Sequence, residues 1–313
     1  MSSQNSPKNW KEEYINSARD DWYLYHQPYY LDAVTNGNWD VVRFPEEGQA
    51  KAFLPYVTRK ERDGNAIVMP PYTAFLGPVF LEDLSTSKQY AAIEGLLDNL
   101  PDCPFIEQRW NPSIENWLPA YWKNFEQQTR YTYIIDCPGD EEQIWKEISS
   151  KKRNAIRKAE KNLTIEEAPK DVLLEKTSWM AFLNHDKNAL SNIIDTLGER
   201  GQMKILGTKN DQGEWSNLAL FVWDKSRMYY LVGLRDNSKK DDEGMNLLLW
   251  TAMKDAPEGI EIFDFEGSMI KGIETFFRLL GGKPQAYFQI SKSFSRYRNF
   301  RKGVSFLLKA LKG

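Results

Sequence analysis

The stretch at 260–284 constrains the fold more than any other part of the chain, because strand, turn and helix signals follow one another there. Residues 260–265 are mostly apolar and suit a buried strand. Alternation along that strand predicts that Asp264 and Glu266 lie on the same face. Gly267 then breaks the strand. Two carboxylates at the exit of a buried strand, directly before a helix, make this turn the first candidate for a functional site.

The helix predicted at 269–280 is amphipathic. Its apolar residues recur at helical spacing, and they are Ile270, Ile273, Phe276, Phe277 and Leu280. The opposite face carries the charged residues Lys271, Glu274 and Arg278. Ser268 can cap the first free amides of this helix, while Gly281 and Pro284 supply the stop signal after it. The pattern therefore predicts a helix that packs through one side.

The overall composition limits the class of protein. The chain has 313 residues and 41% hydrophobic content, which is enough for two packed domains. Its 41 basic and 44 acidic residues give a net charge of −3, so no global basic field attracts nucleic acid or an anionic membrane. Cys103 and Cys137 are too few for a disulfide scaffold, and 2 histidines give little support to a metal site or a catalytic triad. Residues 1–9 lack the apolar core of a signal peptide, and no stretch has the length of a membrane span. We therefore expect a cytoplasmic protein with no membrane insertion and no metal.

A cluster of turn residues at 136–140 is the best candidate for a domain boundary. Before it, the patterns predict a helix, three strands, a helix, a strand, a connection and a strand. After it, they predict the order β, α, α, β, β, β, α, β, α, β and a basic C-terminal helix at roughly 299–311. The sequence therefore predicts an α/β protein with an N-terminal domain at 1–138 and a C-terminal domain at 139–313.

The C-terminal domain opens with a long helix predicted at 141–161, whose later part is strongly cationic. Its basic residues are Lys146, Lys151, Lys152, Arg153, Arg157, Lys158 and Lys161. Because Arg153 and Arg157 stand one turn apart, the basic helix at 146–161 could bind the phosphates of a tRNA or of a nucleotide-linked sugar. The alternative is a solvated helix face, which is the common fate of a charge run.

The predicted element order is similar to the GNAT acyltransferase fold, and the N-terminal domain looks like a degenerate copy of it. A resemblance to the FemABX family is carried by segment 149–161, by the motif Asp264-Phe265-Glu266-Gly267-Ser268 and by residues 276–282. This resemblance implies two tandem GNAT-like domains, each a mixed central sheet flanked by helices. It also implies an N-acyltransferase, commonly one that moves an amino acid from aminoacyl-tRNA to an amine on a peptidoglycan precursor in cell wall biogenesis. The acyl donor is then a co-substrate, and no cofactor is implied.

The chain differs from the motifs of these related proteins at two places, and both differences concern which substrates it could bind. CoA-binding GNAT proteins carry a glycine-containing loop whose amides hold the pyrophosphate at a helix N-terminus. Here that place holds Asp241, Asp242 and Glu243, whose carboxylates would repel a diphosphate. The peptidoglycan-bridge members carry a lysine at the place of Phe277, and a phenyl ring cannot neutralise a phosphate. The sequence therefore disfavours acyl-CoA as the donor and leaves the acceptor open.

The carboxylates of Asp264 and Glu266 are the candidate catalytic groups. If they lie close together, crowding raises the pKa of one of them toward that of a general base for an amine nucleophile. In the alternative interpretation they cap the following helix and pair with a lysine or an arginine. Proton removal by the substrate itself is a third possibility.

Candidates for substrate binding lie on several predicted elements of the C-terminal domain. They are Arg153, Arg157, Tyr230, Lys271, Arg278 and Tyr287. The resemblance implies that the fourth and fifth strands splay apart to admit substrate, and that backbone amides of the splayed strand hold the oxyanion. Core packing with a satisfied hydroxyl is the alternative for Tyr230 and Tyr287.

The expected function is transfer of an acyl or aminoacyl group to an amine of a small molecule or glycopeptide. The donor would be aminoacyl-tRNA. Acyl-CoA is the less favoured donor, because the acidic loop at 241–243 would repel its diphosphate. Two other functions fit the same residues: an acyl-CoA-dependent N-acetyltransferase, and a non-catalytic binding protein that has kept the fold.

Overall fold

The computed structural model describes residues 10–136, 141–179, 186–238, 243–267 and 269–294. Within them the helices are α1 (Trp10–Ser17), α2 (Pro28–Thr35), α3 (Thr86–Asp98), α4 (Leu118–Trp122), α5 (Glu141–Glu147), α6 (Ser150–Asn162), α7 (Lys170–Glu175), α8 (Lys187–Glu199), α9 (Gly244–Lys254) and α10 (Lys271–Leu279). The strands are β1 (Asp40–Phe44), β2 (Ala52–Glu61), β3 (Gly64–Val68), β4 (Val79–Phe80), β5 (Phe105–Arg109), β6 (Glu126–Asp136), β7 (Thr164–Glu167), β8 (Met203–Lys209), β9 (Trp215–Trp223), β10 (Arg227–Arg235), β11 (Ile262–Asp264) and β12 (Lys283–Ser293). Short 3-10 helices lie at Leu24–His26 and Lys176–Trp179. No helix within the described ranges is long and apolar enough to cross a bilayer.

The described residues form two compact units, and neither unit is a contiguous half of the chain. The first unit holds the described residues of 1–18, 37–129 and 287–313, and the second holds those of 19–36 and 130–286. The sequence did not predict that an early segment joins the later part of the chain. The predicted boundary between 138 and 139 lies outside the described residues and stays a prediction. Also outside them lie Cys137, Ser268 and the predicted C-terminal helix at 299–311.

The first unit contains a mixed sheet in the order β1-β2-β3-β5-β12. Neighbouring strands are antiparallel, except that β3 and β5 are parallel where Ile67 faces Ile106. Apolar side chains of this sheet and of α3 form one core that includes the completely buried Trp110. The first unit thus has a sheet and a core of its own, as an independent GNAT-like domain requires.

The second unit contains a mixed sheet in the order β6-β11-β10-β9-β8-β7. Strands β10 and β11 are parallel, and the other neighbouring pairs are antiparallel. Along the chain, β7 is followed by two helices, three strands, a helix, a strand, a helix and a strand, so the predicted element order is confirmed. The core of this unit includes Phe263 and Phe265 from the end of β11, and Phe277 from α10.

Strands β10 and β11 separate in the middle of the second unit. Their pairing reaches Asp264, which stands opposite Tyr229, and β11 ends there. Strand β10 continues to Arg235, and its register against β9 shifts between Tyr230 and Val232. Such bulges bend a strand and redirect its side chains, and they are common next to active sites. The exit of β11 and the irregular part of β10 therefore lie side by side.

The turn after β11 departs from strand alternation, which was the basis for placing both carboxylates on one face. Regular pairing ends at Asp264, and Glu266 and Gly267 both adopt left-handed backbone conformations, with φ of 60° and 62°. A Cβ atom at position 267 would overlap the backbone of Tyr131 and Thr132. Only glycine suits both the conformation and the close approach at that position. The position of Glu266 is therefore set by this turn and not by the pleat of the strand.

The single helix predicted at 141–161 is wrong, because the chain forms α5 and α6 with a break at Ser149. The backbone amide of Ser149 donates to the carbonyl oxygen of Leu279 at 2.9 Å. Its hydroxyl accepts a hydrogen bond from the backbone amide of Lys152 at 3.4 Å. A serine that caps a new helix in this way stops the preceding one from continuing.

Helix α10 packs through its second half only. Phe277 and Leu280 belong to the buried core, in agreement with the predicted apolar side. Ile270 and Ile273 were predicted to pack as well, but they are 58% and 40% exposed. The helix begins at Lys271, so Ile270 stands before its first turn, outside the helical register on which the prediction rested.

We predict that Gly267→Ala destabilises the protein by about 2 kcal/mol or more, because a side chain there meets backbone atoms in a left-handed turn. The matched control is Gly272→Ala in α10, where a Cβ atom meets nothing within 4 Å. There alanine should leave the stability unchanged or raise it by a few tenths of a kcal/mol, roughly as helix propensity allows. Urea denaturation of both variants measures the difference. Equal stability of the two variants would contradict the left-handed turn.

Candidate active site

Asp264 ends β11 as a completely buried carboxylate. Its Oδ2 atom lies 2.7 Å from Nη1 of Arg227, which is also buried. Its Oδ1 atom accepts hydrogen bonds from the hydroxyl of Thr132 and, at 2.8 Å, from the backbone amide of Glu266. This arrangement is the arginine pairing that the alternative interpretation predicted, while among the described residues no side chain caps α10. A catalytic role of Asp264 stays a prediction.

Arg227 connects the ion pair to its surroundings. Its Nη1 atom also donates to Oε1 of Gln285 at 3.3 Å, and its guanidinium lies 5.3 Å from the ring centre of Tyr23. Burial acts to lower the pKa of Arg227. The carboxylate of Asp264, with smaller contributions from Tyr229 and Tyr23, has the opposite effect, and together these outweigh burial, so the pKa is raised. Arg227 therefore stays charged in a desolvated place.

Asp224, in the turn before β10, ties the early segment 19–36 to the sheet. Its Oδ2 atom accepts hydrogen bonds from the backbone amide of Leu24 at 2.9 Å and from the hydroxyl of Tyr229 at 2.8 Å. Its Oδ1 atom accepts from the amides of Ser226 and Arg227, which closes the turn. Burial, and next the charge of Asp224, raise the pKa of the Tyr229 hydroxyl well above its ordinary value. Tyr229 therefore acts as a hydrogen-bond donor throughout the physiological range.

Glu266 follows the ion pair in the left-handed turn, and its carboxyl group has a different environment. The Glu266 residue is half-buried, and its Oε1 atom accepts a hydrogen bond from the hydroxyl of Tyr25. Burial raises the pKa of Glu266 well above its ordinary value. The sequence predicted a raised pKa in this pair but attributed it to crowding of two carboxylates. Loss of water is the cause instead, because the charge of Asp264 is neutralised by Arg227.

A second polar cluster surrounds Lys152, which was not singled out from the sequence. Its Nζ atom donates to Oδ1 of the buried Asn246 at 2.7 Å and lies 4.0 Å from the ring centre of Phe276. Asn246 in turn donates to Oε2 of Glu243 at 2.6 Å. Burial, with smaller effects of Lys151 and Arg235, lowers the pKa of Lys152 to about 8, although Glu243 opposes the change.

The position of Lys152 could have been found from the register of α6. Ile156 and Ala159 are the buried residues of that helix. Lys152 precedes Ile156 by four positions and therefore lies on the same face. A lysine on the apolar face of a helix is a stronger signal for a special environment than a run of lysines on the outside.

Tyr230 lies at the irregular part of β10, near the start of α9. Its hydroxyl is 3.1 Å from the sulfur of Met245, and its ring stands perpendicular to Phe277 at 6.3 Å between centres. A Cβ atom at Gly233 would overlap the Tyr230 hydroxyl, so the ring bends back over a position where only hydrogen fits. Burial raises the pKa of Tyr230.

The other predicted substrate residues are dispersed. Arg153 donates to the carbonyl oxygens of Trp145 and Lys146 at 3.1 and 3.3 Å, so it caps the end of α5. Arg157 lies 5.3 Å from the ring centre of Trp145 on the same face, and it is exposed. In α10, Lys271 is exposed and Arg278 pairs with Glu274 at 2.8 Å. Tyr287 belongs to the first unit, where its buried ring lies 6.1 Å from that of Phe75. Of the acidic loop, Asp241 and Asp242 lie outside the described residues.

A solvent-open groove of about 690 Å³ lies on another part of the second unit, between α9 and the short strand β7. Its floor includes Leu206, Leu247 and Trp250, and carboxylates such as Glu160 and Glu167 stand along it. Neither Glu266 nor Lys152 lines this groove. It is therefore separate from both polar clusters.

Comparison with known proteins places the chain in a structural class. It matches no protein-family model and no curated protein. Among solved structures, it has the fold of proteins with tandem GNAT-like domains. A tandem GNAT protein from the clavulanic acid biosynthesis pathway aligns with a TM-score of 0.51 at 7% identity, over 85% of this chain and 88% of that one.

More particularly, the chain has the fold of FemX. The two structures align with a TM-score of 0.65 at 15% identity, over 92% of this chain and 97% of FemX. A C-terminal domain (DUF2156) from Agrobacterium fabrum aligns with a TM-score of 0.54 at 13% identity, over 89% of this chain and 92% of that one. The resemblance to the FemABX family and the tandem GNAT-like fold are thereby confirmed. At such low identity the likeness establishes the fold alone.

We predict that Asp264→Asn lowers the free energy of unfolding by about 3 kcal/mol or more, because it leaves Arg227 as an uncompensated buried charge. The control is Glu274→Gln, which breaks the surface pair with Arg278 and should cost far less, because solvent screens that pair. Chemical denaturation followed by tryptophan fluorescence gives both values. A small loss for Asp264→Asn would mean that the buried pair is not structural.

We also predict that the free energy of unfolding rises with pH between about 8 and about 10.4 through Lys152. In that window the unfolded chain binds a proton at this lysine that the folded chain has lost, so raising the pH favours the folded state. The variant Lys152→Met should remove this part of the rise. Lys158→Met, on the exposed side of the same helix, is the matched control. A pH slope that is the same in both variants would refute the burial of the Lys152 ammonium.

Proposed function

We propose that this protein is an N-acyltransferase in which the second unit transfers an acyl or aminoacyl group to a substrate amine. The observation that carries the proposal is the position of Glu266. Its carboxyl group is desolvated, and it stands where β11 ends while β10 continues with an irregular register. The tandem GNAT-like fold supports an acyltransferase and does not specify the reaction.

Glu266 suits the role of general base in this reaction. An amine attacks the carbonyl carbon of the donor ester, a C–N bond forms, and the bond to the leaving oxygen breaks. The attacking nitrogen must lose a proton, which ends on the leaving alkoxide, so the products are an amide and an alcohol. A carboxylate whose pKa is raised toward neutrality can carry that proton in both directions. Asp264 is a weaker candidate because both of its oxygens are engaged by Arg227, Thr132 and a backbone amide.

Strand β10 offers groups for the developing oxyanion. Its register shift between Tyr230 and Val232 takes the backbone at Leu231 out of regular pairing with β9. Amides freed from a ladder can donate to an oxyanion without reorganisation, and such donors commonly supply the largest single part of catalysis. We therefore assign the oxyanion site to the backbone of β10 around Leu231.

For the donor we favour aminoacyl-tRNA over acyl-CoA. Glu243 stands directly before α9, and Asp241 and Asp242 precede it in sequence, so the start of this helix is a poor place for a diphosphate. The exposed basic residues of α6, with Arg157 beside Trp145, suit the backbone of an RNA. We place the reaction in the cytoplasm, with an amine of a small molecule or glycopeptide, such as a cell wall precursor, as the acceptor.

Two other functions have specific support. The cation of Lys152 near the first turn of α9 would favour acyl-CoA, because it partly offsets the acidic residues there. A non-catalytic binding protein is favoured by Phe277, which is buried and stacks on Phe265 with ring centres 4.8 Å apart. That position, where the FemABX resemblance would place a lysine, is used here for packing.

Turnover of defined donors tests the proposal. The purified chain is incubated with an amine acceptor, such as a UDP-linked muropeptide, and either total tRNA charged with radiolabelled amino acids or acetyl-CoA. We predict transfer from charged tRNA and a loss of roughly 10²–10⁴-fold in kcat for Glu266→Gln, the range expected for a general base. The control is Glu261→Gln, an exposed glutamate just before β11.

The outcomes separate the three functions. Transfer from acetyl-CoA alone supports the acyl-CoA-dependent enzyme. No transfer from either donor, with a thermal shift by the muropeptide, supports the binding protein. Full turnover of a folded Glu266→Gln variant excludes Glu266 as the base.

A further inference from the structure

We propose that Tyr25, from the early segment 19–36, is a positioning residue that holds the Glu266 carboxylate in place and keeps it available as a base. The inference rests on the proposed function of Glu266. Its physical basis is the hydrogen bond that the Tyr25 hydroxyl donates to Oε1 of Glu266. These two residues stand 241 positions apart in the sequence.

The Tyr25 ring is rigidly held, so its hydroxyl can act as a fixed point. It is completely buried, and its centre lies 4.9 Å from that of Tyr229 and 5.3 Å from that of Tyr30. The preceding residue, Leu24, donates its backbone amide to Asp224. That same oxygen of Asp224 accepts the Tyr229 hydroxyl. The 3-10 helix that carries Tyr25 is therefore fixed to β10 from two sides.

The rest of the early segment is anchored to α8. The guanidinium of Arg200 lies 3.7 Å from the ring centre of Tyr29. Asn192 donates to the carbonyl oxygen of Ala33 at 3.3 Å. These contacts lie within the second unit, and they hold the 3-10 helix from its far end.

The groups around Glu266 explain why the hydrogen bond from Tyr25 matters. Within its own turn the other ionisable group is Asp264, whose Oδ1 atom accepts the backbone amide of Glu266 and which Arg227 of β10 neutralises. From β10, the Tyr229 ring packs against Tyr25, and its hydroxyl points to Asp224. From β6, the backbone of Tyr131 and Thr132 lies against the turn at Gly267, and the Thr132 hydroxyl donates to Asp264. Burial raises the pKa of Glu266, and a hydrogen bond donated to its carboxylate favours the ionised form.

The variant Tyr25→Phe removes the donor and keeps the ring. We expect the acid limb of the kcat/KM profile to move to higher pH by about 0.5–1 unit, which is a loss of roughly three- to tenfold below that limb. At high pH the variant should recover the activity of the parent protein. The matched control is Tyr30→Phe, which removes a hydroxyl from the same aromatic cluster, and it should leave the profile unchanged.

A direct titration makes the inference independent of turnover. In full-length protein with ¹³C-labelled glutamate, the Glu266 carboxyl resonance is assigned by its absence in Glu266→Gln. Its midpoint should move upward in Tyr25→Phe and stay in Tyr30→Phe. If Tyr25→Phe unfolds, a 3-fluorotyrosine at position 25, which is a stronger donor, should move the midpoint downward.

An unchanged midpoint, or a loss of activity that is uniform across pH, would overturn the role of Tyr25. A shifted midpoint together with full activity of Glu266→Gln would instead keep the contact and refute the proposed function. The two failures are therefore distinguishable.

Discussion

The second unit depends on the buried ion pair between Asp264 and Arg227. Arg227 comes from β10 and Asp264 from β11, while Thr132 reaches the same carboxylate from β6. Three neighbouring strands thus meet on one side chain. Taking such charges out of water costs several kcal/mol per ion, and the cost is offset only when every oxygen is bonded. Because the bonds of Asp264 require one register of the three strands, we infer that the pair fixes where β11 ends.

The end of β11 decides what the next carboxylate can do. The Asp264 Oδ1 atom accepts the backbone amide of Glu266, and Gly267 allows the chain to turn left-handed against the backbone of Tyr131. Glu266 thereby leaves the sheet next to the point where β10 continues without β11. Two carboxylates two positions apart receive opposite environments, one with a permanent cation and one with a neutral phenol. Different environments are the usual physical reason why two like groups take different roles in one site.

Much of this fold could be predicted from the sequence, because periodicity records which face of each element is buried. It gave the strand before Asp264, the helix after it and the element order of the second unit. Periodicity carries no information on partners distant in sequence, so Arg227, Thr132 and Tyr25 could not be found. It also fails where a side chain competes with the backbone, as Ser149 does between α5 and α6. The buried position of Lys152 could have been predicted, since it shares a face with Ile156. It was not singled out, because it lies within a run of basic residues.

The early segment 19–36 shows why a contiguous C-terminal domain is an incomplete description of the candidate site. The sheet of the second unit is built from residue 130 onward, yet its Asp224 and Glu266 are bonded by Leu24 and Tyr25, which lie in sequence between two parts of the first unit. Closing such a contact orders a long loop, which costs entropy and delays folding of the part that waits for it. That cost is offset only by burial, here of the Tyr25 and Tyr229 rings against each other. The base proposed for catalysis is therefore completed by a contact between residues 241 positions apart, so that an intact site requires the early segment to be in place.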